Sequence, residues 1–107
     1  MYKSGLLAVV LGFVFSIHAL GITASAESLI TGEVRDKKSG EAIIGATVQI
    51  ENSSVATATD LDGKFSLKNI PIGKQTIVCR YLSYKTVRVP VNVRQGESIA
   101  GLEIEME

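Results

Sequence analysis

From residue 29 onward, apolar and polar side chains alternate nearly one for one. Ile30, Gly32 and Val34 interleave with Thr31, Glu33 and Arg35. Ala46, Val48 and Ile50 interleave with Thr47, Gln49 and Glu51, and Phe65 and Leu67 with Lys64, Ser66 and Lys68. Ile77, Cys79 and Tyr81 form one stripe and Val87, Val89, Val91 and Val93 another. Leu102, Ile104 and Met106 alternate with Glu103, Glu105 and Glu107. A period of two gives strands with one buried and one wet face. Turn-forming clusters divide the runs: Lys38-Ser39-Gly40, Asn52-Ser53-Ser54, Asp62-Gly63, Pro71-Ile72-Gly73 and Gln95-Gly96. The pattern predicts about seven strands, over 29–36, 45–51, 54–60, 64–68, 75–83, 86–94 and 98–106, closed into an all-β sandwich or small barrel.

Single positions refine this outline. The run 54–60 has no clear buried face, which suits an edge strand. Pro90 cannot donate to a ladder, so its strand lies at an edge or is bulged there. Asp60-Leu61-Asp62-Gly63 predicts a hairpin turn between 54–60 and 64–68, with glycine accepting positive φ and aspartate the local hydrogen bonds. Gly32 and Gly45 suit a close backbone approach or a bulge. Phe65 is expected at the centre of the core. Tyr81 shares the core stripe, leaving Tyr84 as the exposed aromatic.

The first 26 residues break the pattern. Lys3 precedes an apolar run, Leu6 to Leu20, and Ala24-Ser25-Ala26 follows. A basic start, a short apolar helix and an A-x-A site describe a secretory signal peptide, cleaved after Ala26 to leave a domain over 27–107. The alternative is an uncleaved anchor, for which the run is short of the roughly 20 residues of a span. The only cysteine, Cys79, is far from this segment, which argues against a lipoprotein.

Charge and composition narrow the chemistry. With 11 basic and 11 acidic residues the formal net charge is zero, which argues against nucleic-acid binding. The single histidine, His18, lies in the leader. Residues 27–107 therefore carry no imidazole for a nucleophile pair or a catalytic zinc site. One cysteine excludes an internal disulfide framework, and Cys79 in its apolar stripe reads as a buried, inert thiol, with an inter-chain disulfide as the alternative. Asp60-Leu61-Asp62-Gly63 opens like a calcium loop but has Pro71 where the closing acid belongs. Asn52-Ser53-Ser54 fits a glycosylation sequon but is explained as a polar turn. Glu103, Glu105 and Glu107 read as a solvated strand face. No catalytic, cofactor-binding or metal residue is assigned.

Five segments together resemble the carboxypeptidase regulatory-like domain, a transthyretin-like fold found at the N-terminus of TonB-dependent outer-membrane receptors. They are Ile30 to Asp36, Gly40 to Val48, Thr59 to Leu67, Ile70 to Gly73 and Tyr81 to Thr86. The family often has proline where Ile43 stands and glycine where Ser83 stands. The first departure is expected to loosen a loop and the second to strain a turn. The resemblance implies a Greek-key β-sandwich of the transthyretin (prealbumin) type behind a helical signal peptide. It also implies a non-catalytic periplasmic domain that works by protein contact with a receptor plug or barrel, or with the energy-coupling machinery, in nutrient uptake. Strand addition at an exposed edge is a plausible mode, with 54–60 as a candidate. The rival readings are a free-standing secreted or surface module for protein or carbohydrate, a transthyretin-like hydrolase, which would need histidine, and a stabilising domain appended to a peptidase.

Overall fold

The computed structural model describes residues 28–107, so the signal-peptide expectation for 1–26 lies outside the described residues. Seven strands follow in order: β1 (Leu29–Asp36), β2 (Thr47–Ile50), β3 (Ala56–Ala58), β4 (Lys64–Lys68), β5 (Gly73–Arg80), β6 (Val87–Val93) and β7 (Ser98–Met106). They form two sheets, one of three strands in the order β4-β1-β7 and one of four in the order β3-β2-β5-β6. β3 lies over β4 on one flank of the sandwich, and β6 over β7 on the other. The first and last strands, β1 and β7, run parallel; all other pairs are antiparallel.

The period-two stripes meet between the sheets. Ile30, Val34, Phe65, Leu67, Ile104 and Met106 come from one sheet, and Val48, Ile50, Ile77, Cys79 and Val93 from the other. Burying such side chains is the main favourable term in folding. Gly32 sits within this core because nothing larger fits. A Cβ there would strike the carbonyl oxygen of Leu102 and approach the Phe65 ring to 2.8 Å. Phe65 is paired opposite Gly32, and its ring lies over the glycine. The β1–β7 register slips between Ile30 and Gly32, where an extra β7 residue bulges.

Among the described residues every buried side-chain nitrogen and oxygen has a hydrogen-bond partner. The Ser28 hydroxyl donates to the Ile70 carbonyl at 2.7 Å and accepts from the Ile70 amide at 3.0 Å. The Thr59 hydroxyl donates to the Ile43 carbonyl at 2.6 Å and accepts from the Ala46 amide at 2.9 Å.

The two strands suspected of lying at edges, β3 and Pro90-bearing β6, are the two edges of the four-stranded sheet. Other expectations need correction. The Asp60–Gly63 segment is a turn but not a β-hairpin. The Asp60 amide bonds the Lys64 carbonyl at 2.9 Å, yet β3 and β4 belong to different sheets. The Val34 amide takes the Gly63 carbonyl at 2.8 Å, which draws the chain across to β1. Gly45 makes no close approach; its backbone is left-handed, with φ of 78°, and a Cβ there would meet only the Tyr81 ring, at 4.0 Å. Ile43 does not loosen its loop. It is buried, and its amide donates to the Val34 carbonyl at 3.0 Å.

Candidate functional site

Strand directions divide the connections between two ends of the sandwich. One end gathers 37–46, 59–63, 81–86 and Glu107; the other gathers 51–55, 69–72 and 94–97. The first end carries four of the five exposed large apolar side chains: Ile44 (50% exposed), Leu61 (80%), Tyr81 (41%) and Leu82 (86%). Each sits on a turn held by hydrogen bonds, so its exposure is built in.

Ile44 projects between Ile43 and Ala46, both buried and both bound by the Thr59 hydroxyl. Leu61 tips a turn in which an Asp60 carboxylate oxygen accepts from the Asp62 amide at 2.9 Å and the Lys64 amide at 2.8 Å. Aspartate does this because its short side chain reaches its own backbone two residues on. Leu82 tips a turn in which the Tyr84 amide donates to the Tyr81 carbonyl at 3.1 Å. Ser83 in that turn holds φ at 72°, the left-handed conformation that glycine adopts without penalty and other residues do not. The strain expected where the family has glycine is present.

Two shallow depressions share Ser83. One, of about 540 Å³, is lined by Gly45, Tyr81 and Leu82 among others. The other, of about 470 Å³, is lined by Asp36, Tyr84, Lys85 and Glu107 among others. In the second, the Tyr84 hydroxyl donates to Asp36 at 2.6 Å. The other Asp36 oxygen accepts from the amides of Lys38 at 2.8 Å and Ser39 at 3.0 Å. These donors, Tyr84 first, hold the Asp36 carboxyl at about 2 and so keep it charged. The same bond raises the Tyr84 phenol above its ordinary value. A carboxylate with this many donors is a strut for the loop; it is a poor base, because its proton affinity is low.

The two tyrosines therefore exchange their expected roles. β5 ends at Arg80, so Tyr81 leaves the core stripe and is exposed, while Tyr84 packs against the core. Their ring centroids are 6.0 Å apart at 45°, a tilted pair and not a flat platform for a sugar. Cys79 is buried, its Sγ 3.7 Å from Met106 Sδ, and burial pushes its thiol up to about 11. Asn52 lies in an exposed turn at the opposite end. Glu103, Glu105 and Glu107 are exposed, and no group of acids, cysteine or histidine among the described residues is arranged to hold a metal.

The structure thus defines a two-sheet β-sandwich that presents ordered apolar turn tips at one end. Its sequence matches the model of the CarboxypepD_reg-like domain over residues 30–107, and the chain belongs to that family. It is 32% identical over 89 residues to TonB-dependent receptor P39 of Formosa agariphila, a match covering 83% of this chain and 8% of the receptor. The chain thus spans only a small part of that relative. Among solved structures it resembles a chain of a type II cohesin–X-dockerin complex from Acetivibrio cellulolyticus, with a TM-score of 0.63, 22% identity, and coverage of 74% of this chain and 56% of that one. It also resembles 3-chlorocatechol 1,2-dioxygenase from Rhodococcus opacus, with a TM-score of 0.56, 9% identity, and coverage of 78% and 60%. At such identities these two likenesses concern the fold alone.

Proposed function

We propose that this chain is a non-catalytic, exported domain of a TonB-dependent outer-membrane receptor, held on the periplasmic side and working by protein contact in nutrient uptake. The observation that carries this reading is the set of three hydrogen-bonded turns, each displaying an apolar tip at one end. Apolar side chains gathered on ordered loops at one end suit an interaction site, and at 80% and 86% exposure Leu61 and Leu82 add little to the core. The family and the receptor relative supply the context. The partner would be the receptor's plug or barrel, or the energy-coupling machinery. Carbohydrate is less suited, since among the described residues the one well-exposed ring, Tyr81, has no coplanar neighbour.

The test is photocrosslinking from position 82 in cells carrying the tagged native gene, followed by membrane fractionation. Recovery with the outer membrane and crosslinks to a receptor or coupling protein support the reading. Recovery in the cytosol, or crosslinking no stronger than from position 54 at the opposite end, sinks it.

A further inference from the structure

The sandwich is unevenly sealed. Of the partly buried apolar residues packed against the core, Val87, Val89 and Val91 lie on β6 and Ile99 and Leu102 on β7, along one flank. Three strands face four, so on that flank β7 leaves the valines of β6 half covered. Of the four sheet edges, three are blunted in ways proteins use to resist strand addition. β3 has 3 residues, β4 begins and ends in lysine, and β6 contains Pro90. β7 has 9 residues, with neither proline nor lysine, and its bulge lies before Leu102, so that the pairing from Leu102 to Met106 is regular.

The hydrogen bonds at the end of β7 show which of its backbone groups are open. The Met106 carbonyl accepts from the Lys37 amide on the β1 side, and the Glu107 carbonyl accepts from the Lys85 amide. In an extended strand the N–H and C=O of successive residues point to opposite sides. Leu102, Ile104 and Met106 are therefore satisfied by β1, and Glu103 and Glu105 present their backbone outward. Their side chains stand on the wet face. Glu103 lies opposite Glu33 and Glu105 opposite Arg35, but Arg35 is bound to Glu33 at 2.8 Å, and among the described residues neither Glu103 nor Glu105 has a cation within ion-pair distance.

We infer that the outer edge of β7 accepts an extended segment of a protein partner in which apolar and basic residues alternate. This rests on the protein-contact reading above and gives it a second surface. The added strand bonds the Glu103 and Glu105 backbone, lays its apolar residues over Val87 and Val89, and sets its lysines or arginines beside the two glutamates. The same acids disfavour a second copy, because two β7 edges would bring glutamate against glutamate.

The probes are nine-residue peptides alternating valine with lysine, or valine with glutamate, and the lysine peptide N-methylated at alternate residues. With the full chain at low salt, the lysine peptide is expected to bind at least tenfold more tightly than either other peptide. It should slow amide exchange at Glu103 and Glu105 and leave Lys64 to Lys68 unaffected. The double substitution Glu103→Lys, Glu105→Lys should reverse the charge preference. Absence of protection at Glu103 and Glu105, a preference unchanged by the double substitution, or self-association through β7 overturns the inference. Crosslinks from position 82 without such protection would leave the protein-contact reading standing and remove only this one.

Discussion

Tyr84 donates its hydroxyl to the carboxylate of Asp36, 48 positions earlier, at 2.6 Å, and so ties the β5–β6 turn to the end of β1. The bond shifts its two partners in opposite directions, so its contribution is lost at both extremes of pH. Asp36 is held at about 2 against an ordinary 3.8, so its contribution to stability is complete above about pH 4 and is lost as pH falls toward 2. Tyr84 is raised above 10, so its contribution is present below pH 10 and is lost as pH rises through the folded value. In Tyr84→Phe, the Asp36 titration followed by carboxyl NMR should move upward, though not fully, because the Lys38 and Ser39 amides remain. An unmoved Asp36 titration would show that the tyrosine is not the principal donor.

Cys79 supplies the second alkaline limb. Burial raises its thiol from 9.0 to about 11, so the thiol favours the folded state up to about pH 9 and loses that effect between 9 and 11. Cys79→Ala should flatten this part of the stability curve and should also cost stability at neutral pH through the cavity it leaves. A thiol reagent should label native Cys79 only at the rate of opening. Rapid stoichiometric labelling of the folded protein would contradict its burial.

Gly32→Ala should be severe for so small a change. The added methyl meets the Leu102 carbonyl and the Phe65 ring, and overpacking of this kind costs about 1–3 kcal/mol. At ~4–8 °C per kcal/mol for a domain of this size, thermal unfolding should fall by on the order of 10 °C. Phe65→Ala removes a buried ring at about 3–5 kcal/mol. The double variant should lose less than the two single losses together, because part of the first clash goes with the ring. Additive losses would show that the ring is not what excludes the methyl.

Ser83→Gly should act in the opposite direction. A left-handed residue with a Cβ costs about 1–2 kcal/mol, against the ~0.5–1 kcal/mol of extra unfolded-state freedom that glycine brings. A net gain of up to about 1 kcal/mol in denaturant unfolding is expected. A loss would mean that the serine side chain makes a contribution outweighing its backbone strain.

The strands were legible because alternation reports burial directly: Val87 to Val93 and Leu102 to Met106 follow the stripe that the packing uses. What alternation cannot report is which sheet a strand joins. The Asp60–Gly63 turn chemistry was readable from four residues, but the turn's role as a corner depends on the Val34 amide, far away in sequence. The exchange of Tyr81 and Tyr84 has a local cause. A stripe carries no mark of where its strand stops, and β5 stops at Arg80. The turn tips of the candidate site did have a signal, an apolar residue inside a turn cluster, as with Leu61 between two aspartates. It lay hidden because period-two reading assigns turns no side-chain role.

The parallel pairing of β1 with β7 has a mechanical consequence. Ser28 and Glu107 lie at opposite poles, and the strands next to them are hydrogen-bonded side by side. Tension applied between those poles would load that ladder lengthwise, stressing its rungs together. Pulled in this direction, the domain would resist as a clasp and would not peel open one rung at a time.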